Sequence, residues 1–194
     1  CDTGSDDDTR ERVRLYGVTL VEDAWTDDFS RARNAAIDAS HCEWIFWMDA
    51  DDRIDSSSMQ ALSALWQSSA EKGVSVCVAN LMPDGSCVEF LQMRLFPRKD
   101  SIRFERKIHE QILFSLKRAG IPFTTCEHIR IQHTGYTDSH MRASKQQRNQ
   151  GLILEELRQY PDDPSLNLAL ADSCLSLGNI TQARATYKKI CDND

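Results

Sequence analysis

Apolar and polar positions along residues 1–137 switch repeatedly between the spacing of strands and the spacing of helices. The apolar run from Trp44 to Met48 is bounded by polar residues, which is typical of a buried central strand. Further strands are predicted where apolar and β-branched residues cluster, at 17–21, 74–79, 88–96 and 127–132. Helices are predicted between the strands, at 9–14, 29–40 and 56–72. This alternation predicts an α/β fold with helices packed on a sheet.

The pattern becomes purely helical from Ser139 onward. One helix is predicted to end at Gln159, before two prolines, and two more are predicted at 165–177 and 180–191. Four small or aromatic residues match the tetratricopeptide template: Ala171, Gly178, Ala183 and Tyr187. An ordinary helical hairpin explains them equally well. Because one repeat cannot bury its apolar face alone, we expect it to dock on the preceding helix or to be followed by more repeats. We therefore divide the chain into residues 1–137 and a helical part, residues 138–194.

Three carboxylates follow the apolar run directly, at Asp49, Asp51 and Asp52. In open α/β sheets, ligands bind at the carboxyl ends of the strands. Asp49 and Asp51 converge if the strand turns into a loop, and Arg53 with the serines after it favours a loop. Neighbouring acidic oxygens repel one another unless a cation lies between them, and Mg²⁺ or Mn²⁺ prefers such ligands. The alternative is an ordinary acidic surface loop.

Composition narrows the class of protein. The 194 residues carry a net charge of −7, which argues against a nucleic-acid surface. Seven cysteines without a C-x-x-C pair indicate reduced thiols, hence a cytoplasmic location. No apolar run has membrane-spanning length, although binding at the inner face of a membrane remains open. Because Cys1 opens directly into what reads as a functional loop, we expect the first strand of the fold to be missing.

Taken in order, seven short motifs resemble the metal-dependent family 2 glycosyltransferases of GT-A fold, in the subgroup with C-terminal tetratricopeptide helices. They are Asp2-Thr-Gly-Ser5, Asp27-Asp-Phe-Ser-x-Ala-Arg-Asn34, Trp44 to Asp52, Arg94-Leu-Phe-Pro-Arg98, Ile108-His-Glu110, His133-x-Gly-Tyr136 and Lys145-Gln-Gln-Arg-Asn149. The resemblance covers nearly the whole chain. The chain differs from the family in two respects. Asp52 stands where the family's D-A-D-E motif ends in Glu, and the family's opening strand is expected to be missing.

The resemblance implies a Rossmann-like, three-layer fold that transfers a sugar from a nucleoside diphosphate donor to an acceptor, with inversion. Mn²⁺ or Mg²⁺ would stabilise the leaving diphosphate. We assign the metal to Asp51. His133 would complete the shell or contact the diphosphate, and Asp49 would bind the ribose or support the metal. Asp52 is either a supporting residue or a solvated acid. Glu110 is the candidate general base, with His109 orienting it or contacting phosphate; the alternative is that Glu110 pairs with Lys107 or Arg106.

The remaining candidate residues would bind the nucleotide sugar: Asp2, Thr3, Ser5, Arg33, Asn34, Lys145 and Arg148. Asp2 is expected to face the nucleoside, or otherwise to cap a helix. Arg31 and Arg33 point in different directions on a helix, so they cannot serve one site, and Arg33 or Asn34 fits best. Lys145 and Arg148 share a helical face that either closes over the diphosphate or is simply solvated.

Two other metal-binding classes are excluded. An EF-hand loop starting at Asp49 fails because its sixth position is Ile54 rather than Gly. A dehalogenase-type phosphatase fails because Arg53 and Ile54 do not match its pattern. The remaining alternative is a non-catalytic module that binds a protein partner through its helices. The acceptor class stays open between a glycan, a lipid-linked glycan, a peptide and a protein.

Overall fold

The computed structural model describes residues 1–67, 71–82, 84–135 and 139–192, with the backbone alone for residues 139–145. Tyr136 and the expected boundary at 137/138 lie outside the described residues. Within the described residues, five strands form one sheet: β1 (Trp44–Phe46), β2 (Asp52–Ile54), β3 (Gly73–Leu81), β4 (Cys87–Pro97) and β5 (Phe123–His133). Their order is β1-β4-β3-β5-β2, and β3 is parallel to β5 while the other neighbours are antiparallel.

Four helices belong to the α/β part: α1 (Thr9–Leu15), α2 (Phe29–Asp38), α3 (Ser56–Gln67) and α4 (Leu113–Arg118). Three more follow the sheet: α5 (Ser139–Gln159), α6 (Pro164–Ser176) and α7 (Ile180–Asp192). Side chains define two of these starts. Asp28 accepts from Arg31 N at the start of α2, and Asp163 accepts from Leu166 N at the start of α6. These caps confirm the predicted helix starts to within one residue.

Helices cover both faces of the sheet, which confirms the three-layer α/β class. Ile37 of α2 and Leu116 of α4 pack in one buried cluster with Ile45 of β1. Leu62 of α3 packs in a second cluster with Val76 of β3. Adjacent residues of one strand belong to different clusters, because successive side chains of a strand point to opposite faces.

The structure corrects four expectations about the strands and helices. The strand predicted at 17–21 is absent: its neighbour Glu22 forms a single bridge to Asp2, and Val18 is exposed. The predicted central strand, β1, lies at one edge of the described sheet. The loop predicted after the acidic cluster soon becomes a strand, β2, which pairs with β5. Helix α4 had no counterpart among the predicted elements.

The helices after the sheet pack on the α/β part through a third apolar cluster. It contains Leu152 and Ile153 of α5, Leu170 of α6 and Ala183 of α7, together with Ile108 from the α/β part. The aromatic pair Trp25 and Phe29 packs against the same cluster. The expected docking of the helical hairpin on the preceding helix is therefore confirmed. None of the described helices is long and apolar enough to cross a membrane.

Candidate active site

The pairing of β2 with β5 brings His133 to the acidic cluster. Asp52 and His133 are Cα partners in this antiparallel pair, so the end of β5 meets the start of β2. Asp49, Asp51, Asp52 and His133 each offer one ligand atom, and these atoms lie within 4.8 Å of one another. The expected convergence of Asp51 and His133 is thus present in the fold. Oxygen and imidazole donors at this spacing suit a divalent cation.

Asp52 supports this cluster from its buried side. Its side chain is fully buried, and its Oδ1 lies 2.9 Å from Nδ1 of His133. Its Oδ2 accepts from the backbone N of Asp49 and from Nη1 of Arg94, each at 2.8 Å. These contacts exclude the solvated-acid alternative for Asp52. Asp49 and Asp51 keep about a third of their side-chain surface exposed, so they are the acids that a ligand can reach.

Thr134 and Gly135, the two residues after His133, lie against Asp51. The backbone N and the hydroxyl of Thr134 both donate to the carbonyl of Asp51, at 3.1 and 2.9 Å. Gly135 leaves space for the carboxylate, since a Cβ atom there would lie 2.2 Å from Asp51 Oδ2 and 2.8 Å from His133 Nε2. A side chain at position 135 would therefore occupy the space between the two proposed metal ligands.

Two arginines border the acids. Arg33 of α2 lies 3.0 Å from Asp49 and 2.7 Å from Glu110, and Arg94 of β4 lies 2.8 Å from Asp52. Both guanidinium groups lie over the ring of Trp47, at 3.9 and 3.6 Å from its centroid. Burial opposes the charge of Arg33, but Glu110 and Asp49 outweigh burial and raise its pKa. Burial lowers the pKa of Arg94 despite its acidic neighbours.

Sequence reasoning missed Arg94 and Trp47 as site residues. A signal existed for Arg94, because a charged residue inside the apolar run of β4 requires a buried partner. No comparable signal existed for Trp47, whose position in an apolar run indicated only a core residue. Its indole N–H donates to the carbonyl of Met93 at 2.8 Å, which fixes the ring beside both arginines.

Glu110 lies at the end of a short closed loop. Backbone hydrogen bonds in both directions between Glu105 and Gln111 close the loop, at 3.0 and 2.9 Å. Glu110 pairs with Arg33 rather than with Lys107 or Arg106, so that alternative is wrong. His109 adopts a positive φ of 51°. Neighbouring atoms desolvate its ring and lower its pKa, although one side of the residue remains open to solvent.

Asp2, Thr3 and Ser5 form a separate turn at the start of the chain. The carboxylate of Asp2 accepts from the backbone N of Gly4 and of Ser5 and from the Ser5 hydroxyl. The hydroxyl of Ser5 is the main cause that lowers the pKa of Asp2. The carbonyl of Thr3 accepts from the backbone N of Trp25. These hydrogen bonds are thus made within the turn and with Trp25. Among the described residues, Asp2 makes no contact with the acidic cluster.

The other predicted nucleotide-binding residues lie in three different places. Arg33 lies beside the acidic cluster, whereas the amide of Asn34 exchanges two hydrogen bonds with the backbone of Phe104, at 2.9 and 3.0 Å. Arg31 pairs with Asp23 instead, as its different direction on α2 predicts. The guanidinium of Arg148 lies over the aromatic pair Trp25 and Phe29, between α5 and the α/β part. The side chain of Lys145 lies outside the described residues.

The charge of the cluster matches a divalent cation. Among the described residues, four carboxylates, those of Asp49, Asp51, Asp52 and Glu110, lie beside two guanidinium groups, which gives a formal net charge of −2. One Mg²⁺ or Mn²⁺ ion would neutralise this charge, and its ligands are the oxygen donors that both ions prefer. The charge and the ligand atoms of the arrangement therefore suit a divalent cation.

Comparison with known proteins identifies a family. The family model described as glycosyl transferase family 2 matches residues 1–142, which span the whole sheet. The chain is 26% identical over 167 residues to the SPbeta prophage-derived glycosyltransferase SunS of Bacillus subtilis (strain 168). That match covers 84% of this chain and 39% of the relative.

A second relative includes the helices after the sheet. The chain is 28% identical over 195 aligned residues to a TPR repeat-containing protein of Synechococcus elongatus (strain ATCC 33912 / PCC 7942 / FACHB-805), covering 97% of this chain and 48% of the relative. The chain thus spans less than half the length of the curated relatives it matches.

Proposed function

The chain belongs to glycosyl transferase family 2, and from that premise we propose that it transfers a sugar from a nucleoside diphosphate donor to an acceptor nucleophile. The observation that carries this proposal is the cluster of Asp49, Asp51, Asp52 and His133, with its net negative charge and its two exposed acids. A divalent cation at this cluster would stabilise the negative charge that grows on the leaving diphosphate.

We assign the contacts of the cation to Asp51 and His133, with Asp49 turned toward the ribose. Asp52 keeps these groups in place through His133, Arg94 and the backbone of Asp49. Arg33 lies between Asp49 and Glu110, where its guanidinium can bind phosphate oxygens when the donor enters. The turn of Asp2, Thr3 and Ser5 would contact the nucleoside.

The proposed transfer is a single displacement with inversion. The acceptor nucleophile forms its bond to the anomeric carbon while the bond from that carbon to the diphosphate oxygen breaks. Glu110 takes the proton of the acceptor, and the hydrogen bond from Arg33 to its Oε1 atom keeps the carboxylate in place. His109, whose pKa is lowered mainly by desolvation, would orient Glu110 or contact phosphate.

Donor binding can be tested without knowing the sugar or the acceptor. Thermal unfolding is followed with UDP, GDP, ADP or CDP, in the presence and absence of Mn²⁺. At a hundredfold excess over the Kd, one of them should stabilise the protein by about 2.7 kcal/mol, and only when Mn²⁺ is present. Asp51→Asn should abolish the shift, while Asp100→Asn, at an exposed acid elsewhere, should keep it. A shift that is independent of Mn²⁺, or one that survives Asp51→Asn, would remove the cation role.

A protein-binding module without catalysis is the second candidate. Leu168 and Leu175, on one face of α6, are each about half exposed, and a partner helix could cover them. The same melting experiment separates the two functions, because a scaffold should respond to none of the nucleotides.

A further inference from the structure

The loop that carries Glu110 owes its shape to groups outside it. Its ends, Glu105 and Gln111, are joined by backbone hydrogen bonds, but two of its residues are strained. Arg106 has a φ of 83° and His109 a φ of 51°, and non-glycine residues rarely adopt these left-handed values. Such strain persists only where surrounding contacts over-determine the conformation. The contacts of this loop therefore show what holds it.

The helices after the sheet make the apolar contact. Ile108, at the middle of the loop, is only 3% exposed, and it packs in the cluster of Leu152, Ile153 and Leu170. The other buried members of that cluster belong to α6 and α7. Ile108 is thus a side chain of the α/β part that is buried mainly by the C-terminal helices.

The helical part also makes ionic contacts with the two residues before Ile108. Arg106 pairs with Asp163 at 2.6 Å, and its guanidinium lies 3.8 Å from the ring centroid of Tyr160. Lys107 pairs with Glu155, and its backbone N donates to Glu156 at 3.3 Å. Glu156 is 4% exposed, so the acceptor side of this bond is buried. Three consecutive loop residues are therefore anchored in the helical part.

The opposite side of the loop lies against α2. The backbone N of Phe29 donates to the carbonyl of Lys107 at 2.9 Å, and the hydroxyl of Ser30 donates to the carbonyl of Arg106. Arg33, one turn further along α2, binds Glu110 at 2.7 Å. The loop is thus wedged between α2 and the C-terminal helices, with Glu110 at its end toward the acidic cluster.

We propose that the C-terminal helices position the candidate base Glu110. They do so through Ile108 and Lys107, which are positioning residues that set where Glu110 lies. The proposal rests on the proposed function in one respect, namely that Glu110 is the base. It implies that displacing residues 106–108 from the helices reduces the rate of the chemical step while donor binding at Asp51 is retained, because none of the residues that we assign to the donor lies within 106–108.

The first test truncates Ile108. Ile108→Ala is compared with Leu62→Ala, which removes a similarly buried side chain from the separate cluster between α3 and the sheet. Turnover is measured as Mn²⁺-dependent hydrolysis of the donor, well below both unfolding temperatures. We expect kcat to fall by about a hundredfold in Ile108→Ala, the loss that a misplacement of roughly 1 Å produces. The KM for the donor should be unchanged, and Leu62→Ala should keep its kcat.

The second test reverses a charge and restores it. Lys107→Glu places a third carboxylate beside Glu155 and Glu156, so it should expel the loop and lower kcat. Adding Glu155→Lys re-creates an oppositely charged pair and should restore most of the kcat. If Lys107 had only a structural role, Lys107→Glu would lower the unfolding temperature but leave kcat, measured below that temperature, unchanged.

Hydrogen exchange of residues 106–110 separates this proposal from the proposed function. If the anchor exists, exchange there should rise in Ile108→Ala and in Lys107→Glu but not in Leu62→Ala, whether or not the protein turns over. If Glu110→Gln keeps full turnover, the base assignment fails while the exchange result still stands. Unchanged exchange, or a kcat loss in Ile108→Ala no larger than in Leu62→Ala, would overturn the anchoring proposal.

Discussion

Gly135 lies so close to Asp51 that a Cβ atom on Gly135 would be 2.2 Å from Oδ2 of that carboxylate. No side-chain contact at this distance is tolerated, so one of the two groups must move when position 135 gains a methyl group. The same Cβ atom would be 2.8 Å from Nε2 of His133. Position 135 therefore defines the space in which Asp51 and His133 can share a ligand.

Gly135→Ala should weaken Mn²⁺ binding by at least about tenfold, because the methyl group displaces Asp51, and one proposed ligand is then lost at roughly 1.4 kcal/mol or more. Titration calorimetry with Mn²⁺ checks this. Gly151→Ala is the matched control, since a Cβ atom there meets nothing within 4 Å. That control should bind Mn²⁺ normally and be slightly more stable, because alanine favours a helix. Equal Mn²⁺ affinity in both variants would contradict the proposed ligand pair.

Glu110→Gln should reduce turnover by about 10²- to 10⁴-fold, the usual contribution of a general base. Its amide keeps the shape of the side chain and an oxygen that can accept from Arg33, but it cannot take a proton. Binding of the nucleoside diphosphate with Mn²⁺ should be unchanged in the same melting assay. Glu127→Gln, at an exposed position of β5, serves as the control. A loss confined to donor affinity would assign Glu110 to binding instead of proton transfer.

Ser5→Ala should change how stability depends on pH, because the Ser5 hydroxyl is the main cause that lowers the pKa of Asp2 below its usual 3.8. A lowered pKa in the folded state stabilises the protein above the unfolded pKa and loses that effect as the pH falls through the folded value. The parent should thus exceed Ser5→Ala in unfolding free energy above pH 3.8, and the gap should close in stronger acid. Urea unfolding at a series of pH values checks this. A gap of constant size would contradict the linkage.

The sequence predicts the site where local rules apply. A buried run that ends in Asp49 and Asp51 predicts ligand oxygens at a strand end, and both acids lie there together. The direction of Arg33 away from Arg31 follows from helical geometry alone, and the two side chains do bind different partners. The start of α2 at Phe29 matches the helix predicted at 29–40.

Long-range pairing accounts for what the sequence could not predict. The alternation around Val18 favours a strand, yet a strand needs a partner, and within the described residues this segment finds one only in the bridge from Asp2 to Glu22. The three residues of β2 carry almost no strand signal, and they form a strand because β5 offers its edge. The pair of Arg94 and Asp52 joins positions 42 residues apart, which no local pattern reveals.

Arg94→Met should destabilise the protein by about 3–5 kcal/mol, because it leaves the fully buried carboxylate of Asp52 without its cation. The control is Arg98→Met, which replaces an exposed arginine near the end of β4. It should change stability by no more than about 0.5 kcal/mol. If the acidic cluster binds a divalent ion, that ion replaces part of the lost positive charge. Mn²⁺ should therefore raise the unfolding temperature of Arg94→Met more than that of the parent, as differential scanning calorimetry would measure. Equal shifts in the two proteins would mean that Arg94 and the cation do not neutralise the same acids.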